Sequence, residues 1–104
     1  ITEIEWDQSG SVLFCAGGDS SSSVLMMYSP QMELISDVVS LHNSKINSIA
    51  IDPNNQFIAT CSDDSLVAIN TLPDIICERT YSHTDCSLKK VAFSSKGEYL
   101  ATSC

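Results

Sequence analysis

The chain has 104 residues, of which 43% are hydrophobic, and its thirteen acidic and five basic residues give a net charge of -8. This is the composition of a folded globular protein, and the acidic balance disfavours binding to nucleic-acid phosphates. No apolar run approaches the ~20 residues that a membrane-spanning helix needs. Disorder, a membrane-spanning role and direct binding of RNA or DNA are therefore poor fits.

Three segments of the chain align without gaps. They begin at Trp6, Ile51 and Phe93. Each has a large apolar residue, then a polar turn, then an apolar strand. The fourth position after each apolar residue is occupied by Gly10, Asn55 and Gly97, residue types that tolerate positive φ in a tight turn. Units of about 40–45 residues with four short strands are typical of β-propeller blades.

Several elements are predicted before the second copy. Trp6 begins the first copy and is interpreted as a core residue. Gly17-Gly18-Asp19 lacks the continuation of a phosphate-binding loop and is interpreted as a turn, and the serines at 20–23 predict a loop. The apolar residues between Gln31 and His42 fit a helix about as well as a strand. The repeat places the outer strand of a blade there, so residues 33–40 are predicted as a strand.

The middle copy predicts all four strands of one blade. By alternation and turn residues, strands are expected at about 46–51, 57–62, 65–70 and 75–81. Turns are expected at Pro53-Asn54-Asn55, at Asp63-Asp64 and at Leu72-Pro73-Asp74. The predicted fold class is all-β, with four-stranded antiparallel blades.

The repeat divides the chain into parts of one propeller. We expect a blade over residues 1–41, a second over 42–82 and an incomplete third over 83–104. Propellers close with about four to eight blades, so the chain is expected to be part of a longer protein of roughly 300 residues or more. Its ring would need further blades to close.

The residue pattern offers little for catalysis or metal binding. No Gly-x-Ser-x-Gly motif occurs, His42 and His83 are far apart in sequence, and the five cysteines form no Cys-x-x-Cys pair. The cysteines are interpreted as reduced thiols. Cys15 and Cys61 fall where other copies have threonine or serine, and are interpreted as small half-buried residues of strands. No catalytic residue, metal or cofactor is predicted.

Several motifs resemble those of the WD-repeat family. Its units contain a Gly-His pair, an Asp-Pro or Ser-Pro-x-Gly turn, a Ser-x-Asp turn and a strand that ends in Trp-Asp. The middle copy has Leu41-His42, Asp52-Pro53 and Ser62-Asp63-Asp64 at these places. It has Asn70-Thr71 in place of Trp-Asp, and the third copy keeps Ser94-Ser95-Lys96-Gly97. The resemblance implies a partial WD-repeat β-propeller.

The resemblance also implies a structural role for His42, Thr60 and Asp64. In WD-repeat blades a buried imidazole donates to a carboxylate at a tight turn, and a hydroxyl on a neighbouring strand orients it. His42 is accordingly expected to tie the loop before the blade to the inner hairpin rather than to act as a general base. Asn70 stands where this network usually has tryptophan.

The function implied by the resemblance is that of a non-enzymatic scaffold that presents loops to protein partners. Ile4-Glu5-Trp6 and Val91-Ala92-Phe93-Ser94 further resemble a subunit of the nuclear machinery that couples transcription to messenger-RNA export. This implies protein subunits of a multi-subunit complex as partners, a nuclear location, no membrane and only indirect association with RNA. The alternatives are another WD-repeat adaptor, such as a ubiquitin-ligase substrate receptor or a chromatin-complex subunit, and a propeller enzyme.

Overall fold

The described residues form three antiparallel sheets. The computed structural model describes residues 3–19, 22–39, 42–72, 76–82, 87–97 and 99–103. The first sheet contains, in order, β1 (Glu3–Trp6), β2 (Leu13–Asp19), β3 (Ser22–Tyr28) and β4 (Leu34–Val39). The second contains β5 (Ile46–Ile51), β6 (Phe57–Ser62), β7 (Leu66–Thr71) and β8 (Ile76–Ser82). The third pairs β9 (Lys90–Phe93) with β10 (Leu100–Ser103).

The predicted strands of the middle copy are confirmed. β5 and β6 have the predicted bounds, and β7 and β8 lie one residue later than expected. The outer strand predicted at 33–40 is β4, so the helical alternative is wrong for the described residues there. A turn follows β6 at Asp63-Asp64 as predicted, whereas the turn predicted at 72–74 falls mostly outside the described residues.

The three aligned turns share one backbone geometry. Gly10, Asn55 and Gly97 have φ values of 73°, 61° and 75°, which confirms that these positions need residues tolerant of positive φ. In each turn the amide of this residue donates to the carbonyl oxygen three residues earlier at 3.0 Å. The repeat seen in the sequence is therefore also a repeat of hydrogen bonds.

Two apolar clusters fill the spaces between successive sheets. Because alternate residues of a strand face opposite sides, the second sheet is apolar on both faces. The cluster shared with the first sheet contains Phe14, Ala16, Leu25, Met27, Ile46, Ile49, Ile51 and Ile58. The cluster shared with the third sheet contains Ala59, Cys61, Val67, Leu88 and Val91. The sheets thus stack face to face, as blades of a propeller do.

Trp6 is interpreted from the sequence as a core residue, but 47% of it is exposed in the structure of these residues. Trp6 pairs with Leu13, and both lie on the face of the first sheet opposite to the one that Phe14 turns towards the second sheet. Ile51, at the equivalent position, is buried because its face packs against the first sheet. The repeat correctly aligned the two residues but could not reveal which face is covered.

The turn and loop predicted between Gly17 and Ser23 are also wrong for the residues described. β2 continues through Asp19 and β3 begins at Ser22, while residues 20 and 21 lie outside the described ranges. Ser23 is fully buried. A serine can be buried in a strand when its hydroxyl is hydrogen-bonded, and four adjacent serines concealed this possibility in the sequence.

Replacing Gly97 with alanine is expected to lower the free energy of unfolding of the full-length protein by about 2 kcal/mol or more. A Cβ atom at this position would lie 3.2 Å from Cδ of Pro53, on the neighbouring turn. Gly10 is the matched control, because its φ is similar but an added Cβ would meet nothing within 4 Å. Gly10→Ala should therefore cost only about 1 kcal/mol. If urea denaturation shows the same loss of unfolding free energy for both variants, the close contact between Gly97 and the turn at Pro53 is contradicted.

Candidate functional site

A buried histidine lies at the end of the second sheet where its inner strand begins. His42 precedes β5, and its Nδ1 lies 3.2 Å from both carboxylate oxygens of Asp64. Its Nε2 lies 2.7 Å from Oγ1 of Thr60. Because an ionised carboxylate only accepts hydrogen bonds, we assign the proton to Nδ1, and Thr60 then donates to Nε2. The structure thus brings together the three residues singled out in the sequence.

The electrostatics of this histidine favour a neutral ring. Burial lowers the pKa of His42, and this effect outweighs the carboxylate of Asp64, which acts in the opposite direction. The side chain has no exposed surface. A histidine without solvent access has no route to a substrate, so the geometry suits a structural role better than general-base catalysis.

Asp64 also holds two backbone segments. Its carboxylate accepts hydrogen bonds from the amide of Asn43 at 2.8 Å and from the amide of Leu66 at 3.0 Å. The first amide belongs to the segment that precedes β5, and the second is the first residue of β7. A single carboxylate therefore fixes the histidine, the segment before the sheet and the turn between two of its strands.

Ser23 carries this network into the first sheet. Its Oγ accepts a hydrogen bond from the backbone amide of His42 at 2.9 Å. Ser23 belongs to β3, so the bond joins two successive sheets. Sequence reasoning missed this residue because it is one of four consecutive serines. Only its position in the sheet, opposite Gly18 in β2, distinguishes it from the others.

Asn70 occupies the place where WD-repeat blades usually have tryptophan. It is fully buried, and its Nδ2 donates to the carbonyl oxygen of Ile58 at 3.3 Å. Its Oδ1 has no hydrogen-bond partner. Among the hydrogen bonds of the described residues, none joins Asn70 to His42, Thr60 or Asp64. The network in this protein therefore runs from Ser23 through His42 and does not include Asn70.

Side-chain oxygens brace the three aligned turns at the opposite end of the sheets. Oδ1 of Asp7 accepts from the amides of Ser11 and Val12 at 2.8 and 3.1 Å. Oδ1 of Asp52 accepts from the amides of Gln56 and Phe57 at 2.6 and 2.9 Å, and Oγ of Ser94 accepts from that of Tyr99 at 3.1 Å. The alignment offered a signal for this role, since all three copies have a side-chain oxygen at the same position.

The first two of these turns are also bonded to each other. Nδ2 of Asn55 donates to Oδ2 of Asp7 at 3.1 Å, and the amide of Gln8 donates to Oδ1 of Asn55 at 3.0 Å. Burial alone would raise the pKa of Asp7. Hydrogen bonds from Asn55, Ser9 and two backbone amides outweigh burial and lower this pKa to about 2.

Acid is expected to remove the stabilisation that Asp7 provides. Its pKa is about 2 in the folded protein, against an ordinary value of 3.8. The unfolded chain therefore binds more protons between these values, so the contribution is complete above about pH 4 and is lost as the pH falls towards 2. In urea denaturation of the full-length protein, the free energy of unfolding should fall less steeply between about pH 4 and pH 2 for Asp7→Asn than for wild type. The same pH dependence in both proteins would contradict the lowered pKa of Asp7.

The described residues offer no other chemistry of the kinds considered. None of their His, Cys, Asp and Glu side chains forms a group of three that could hold a metal ion. The described cysteines, Cys15, Cys61 and Cys77, are free thiols, and the first two are buried. Burial raises the pKa of Cys61 to about 11, which keeps it protonated and unreactive at neutral pH. His83, Cys86 and Cys104 lie outside the described residues.

The adjacent lysines on β9 and just before it are engaged by carboxylates. Nζ of Lys89 lies 3.3 Å from Asp63, and Nζ of Lys90 lies 3.6 Å from Glu3. Both lysine side chains are exposed. Within the described ranges, no helix has the length and apolar character needed to cross a membrane.

Comparison with known proteins identifies the type of repeat. Residues 35–69 match the family described as WD domain, G-beta repeat. This segment has the sequence pattern of a WD repeat. The matched residues include β5 and β6, together with His42, Thr60 and Asp64. The WD repeat thus covers the network described above.

The chain is also similar to a curated protein over nearly its whole length. It is 30% identical over 102 residues to THO complex subunit 3 of Arabidopsis thaliana, which covers 98% of the chain. The chain spans 31% of that protein, so it corresponds to about a third of this relative.

Solved structures establish the fold. The WD40 repeats of RRP9 superpose with a TM-score of 0.87 at 18% identity, over 98% of this chain and 32% of that one. U3-55K gives a TM-score of 0.87 at 17% identity, with the same coverage. The β-propeller domain of Cps50 (Swd1) from Myceliophteria thermophila gives 0.80 at 14% identity, over 97% and 31% of the two chains. The fold is that of a WD-repeat β-propeller, represented by part of its ring.

Proposed function

We propose that this WD-repeat chain belongs to a non-enzymatic scaffold subunit of a THO-type complex, which acts in messenger-RNA processing and export in the nucleus. The observation that carries this proposal is the 30% identity with THO complex subunit 3, because it extends over 98% of the chain and well beyond the single matched repeat. Structural likeness at lower identity supports the fold alone.

The polar residues described above form hydrogen bonds within the protein, which supports a role as a scaffold. His42 is hydrogen-bonded to both Thr60 and Asp64, and Asp7 and Asp52 accept hydrogen bonds from the backbone of their own turns. WD-repeat propellers are in general non-catalytic, and rigid blades that expose loops suit protein binding.

The charge supports protein partners and only indirect association with RNA. The net charge of -8 repels phosphate, and the adjacent lysines Lys89 and Lys90 already face carboxylates. We therefore propose that any RNA recovered with this protein is held by other subunits.

We also propose that residues 1–41 and 42–82 are two blades and that 83–104 begin a third. The described sheets, with four, four and two strands, support this division. The remainder of the ring would then come from further blades of the same polypeptide.

Affinity purification of the tagged full-length protein from nuclei tests the function. We expect the other THO subunits to be recovered at comparable amounts before and after ribonuclease treatment, because the contacts are between proteins. The same tag on an unrelated WD-repeat protein serves as the control. Recovery of ubiquitin-ligase or chromatin-complex subunits without THO subunits would favour the alternative adaptor and overturn the THO assignment.

A further inference from the structure

We propose that Met32, Leu34 and Ile35 form a docking surface for an extended segment of a protein partner, with apolar side chains flanked by lysine or arginine. We call these three residues the rim patch. The inference rests on the proposed scaffold function and adds to it the surface and the chemistry of one partner.

The rim patch concentrates exposed apolar side chains. Met32 is 61% exposed, Leu34 55% and Ile35 53%. Among the described large hydrophobic residues, only Ile4 and Tyr99 are also more than half exposed. Three of these five thus fall within four consecutive residues. Exposed apolar residues that are grouped in this way mark interaction sites more often than single ones do.

The backbone holds Met32 in an unfavourable conformation. Its φ is 63°, in the left-handed region that glycine or asparagine would occupy at lower cost. The turn is fixed by hydrogen bonds from the amide of Met32 to the carbonyl of Ser29 and from the amide of Ser29 to the carbonyl of Glu33, both 2.9 Å. The amide of Glu33 further donates to Oγ of Ser29 at 3.2 Å. A methionine at such a position is explained by a requirement for its side chain.

An irregular strand edge continues the patch. Met27 lies opposite Ser36 and Tyr28 opposite Leu34, so Ile35 is the additional residue of a β-bulge. β4 is also the last strand of its sheet, with no described strand on its outer side. The open edge can pair with an extended peptide, and neighbouring apolar side chains can select its residues.

The charge of the chain and of the patch favours a basic partner. The net charge is -8, and the first 44 residues contain no lysine or arginine. Glu33 lies within the patch, between Met32 and Leu34, and is exposed. A partner segment with basic residues beside its apolar ones is therefore complementary.

A neighbouring blade accounts less well for the same residues. Ile4 and Trp6 lie on a regular strand whose open face a further blade would cover. Leu34 lies on that same face, because Tyr28 pairs with both Leu13 and Leu34, and Leu13 pairs with Trp6. Met32 lies in a turn and Ile35 in a bulge, outside the regular ladder that defines the sheet faces. We therefore assign Met32 and Ile35, the two apolar residues changed in the test, to contact with a separate protein, with coverage by the same polypeptide or by a second copy as outcomes of the test.

The first test measures binding of two probe peptides to the full-length protein by fluorescence anisotropy. One short peptide alternates leucine and lysine, and the other alternates leucine and glutamate. Met32→Asn/Ile35→Thr should lower the affinity for the lysine peptide about tenfold or more while leaving net charge unchanged. These replacements suit the turn and the strand, so the fold should be kept. Tyr99→Ser, which removes another exposed side chain, should leave binding unchanged.

Charge reversal provides the second arm. Glu33→Lys should weaken binding of the lysine peptide and strengthen binding of the glutamate peptide. Equal binding of the lysine peptide by wild type and the double variant would overturn the proposal, since attraction to net charge alone would then explain it. Failure of both peptides to bind would overturn it as well.

Photo-crosslinking in cells identifies the occupant. A photoreactive residue at position 32 of the full-length protein should capture an apolar segment with flanking lysine or arginine from another protein. Crosslinks to its own polypeptide, to a second copy or to a segment lacking these features would overturn the proposal. If neither the wild type nor the double variant binds a peptide while THO subunits still co-purify, the docking proposal is wrong and the scaffold function is retained. If the peptide binds at the patch but no THO subunits co-purify, the proposed function is wrong and the docking surface is retained.

Discussion

Replacing Asp64 with alanine is expected to lower the free energy of unfolding of the full-length protein by about 3 kcal/mol. The change removes the acceptor of the Nδ1 proton of His42, whose side chain is fully buried and cannot turn to water. It also removes the acceptor of the backbone amides of Asn43 and Leu66. Urea denaturation at neutral pH measures the loss.

Two variants separate the lost acceptor from a lost charge. Asp64→Asn keeps one acceptor oxygen and should cost clearly less than alanine. Asp63→Ala removes the adjacent carboxylate, which is 31% exposed, pairs with an exposed lysine and accepts from Nδ2 of Asn47 at 2.7 Å. Because Asn47 keeps the carbonyl oxygen of Leu88 as an acceptor, this change should cost about 1 kcal/mol or less. Similar losses for Asp63→Ala and Asp64→Ala would show that the histidine network does not stabilise the protein.

Replacing Phe14 with alanine is expected to lower the free energy of unfolding by about 3–5 kcal/mol. Phe14 is 1% exposed and belongs to the cluster between the first and second sheets. Its removal leaves a cavity that strands on both sides cannot readily close. The same urea experiment applies, and it tests whether the two sheets pack as successive blades.

Phe57 is the control of the same residue type. It begins β6 and is only half-buried, so Phe57→Ala should cost less than half as much as Phe14→Ala. Comparable losses at the two positions would mean that the interface between the sheets is not the principal apolar core of this region.

The sequence predicted most of what depends on local backbone chemistry. Gly10, Asn55 and Gly97 marked the three turns because positive φ leaves few alternatives, and their spacing led to strands that lie within a residue of those observed. His42, Thr60 and Asp64 were brought together by a motif whose spacing follows from the turns between strands. Their contribution to stability remains a prediction, which the Asp64 variants test.

Features that depend on contacts between sheets were missed. The burial of Ser23 depends on the segment before the next sheet passing over it, and no pattern within its own strand encodes that. The exposure of Trp6 depends on which face of the first sheet is covered. Met32 adopts positive φ although its residue type does not favour it, so propensity pointed elsewhere.

The links between the first two sheets lie at opposite ends of β5. Ser23 holds the segment at the start of this strand, and Asn55 bonds to Asp7 beyond its end. Two sheets that are linked at both ends of one strand cannot separate by rotating about a single remaining contact. Local opening of either sheet must therefore break both attachments or neither, so this pair is expected to open as a single cooperative unit.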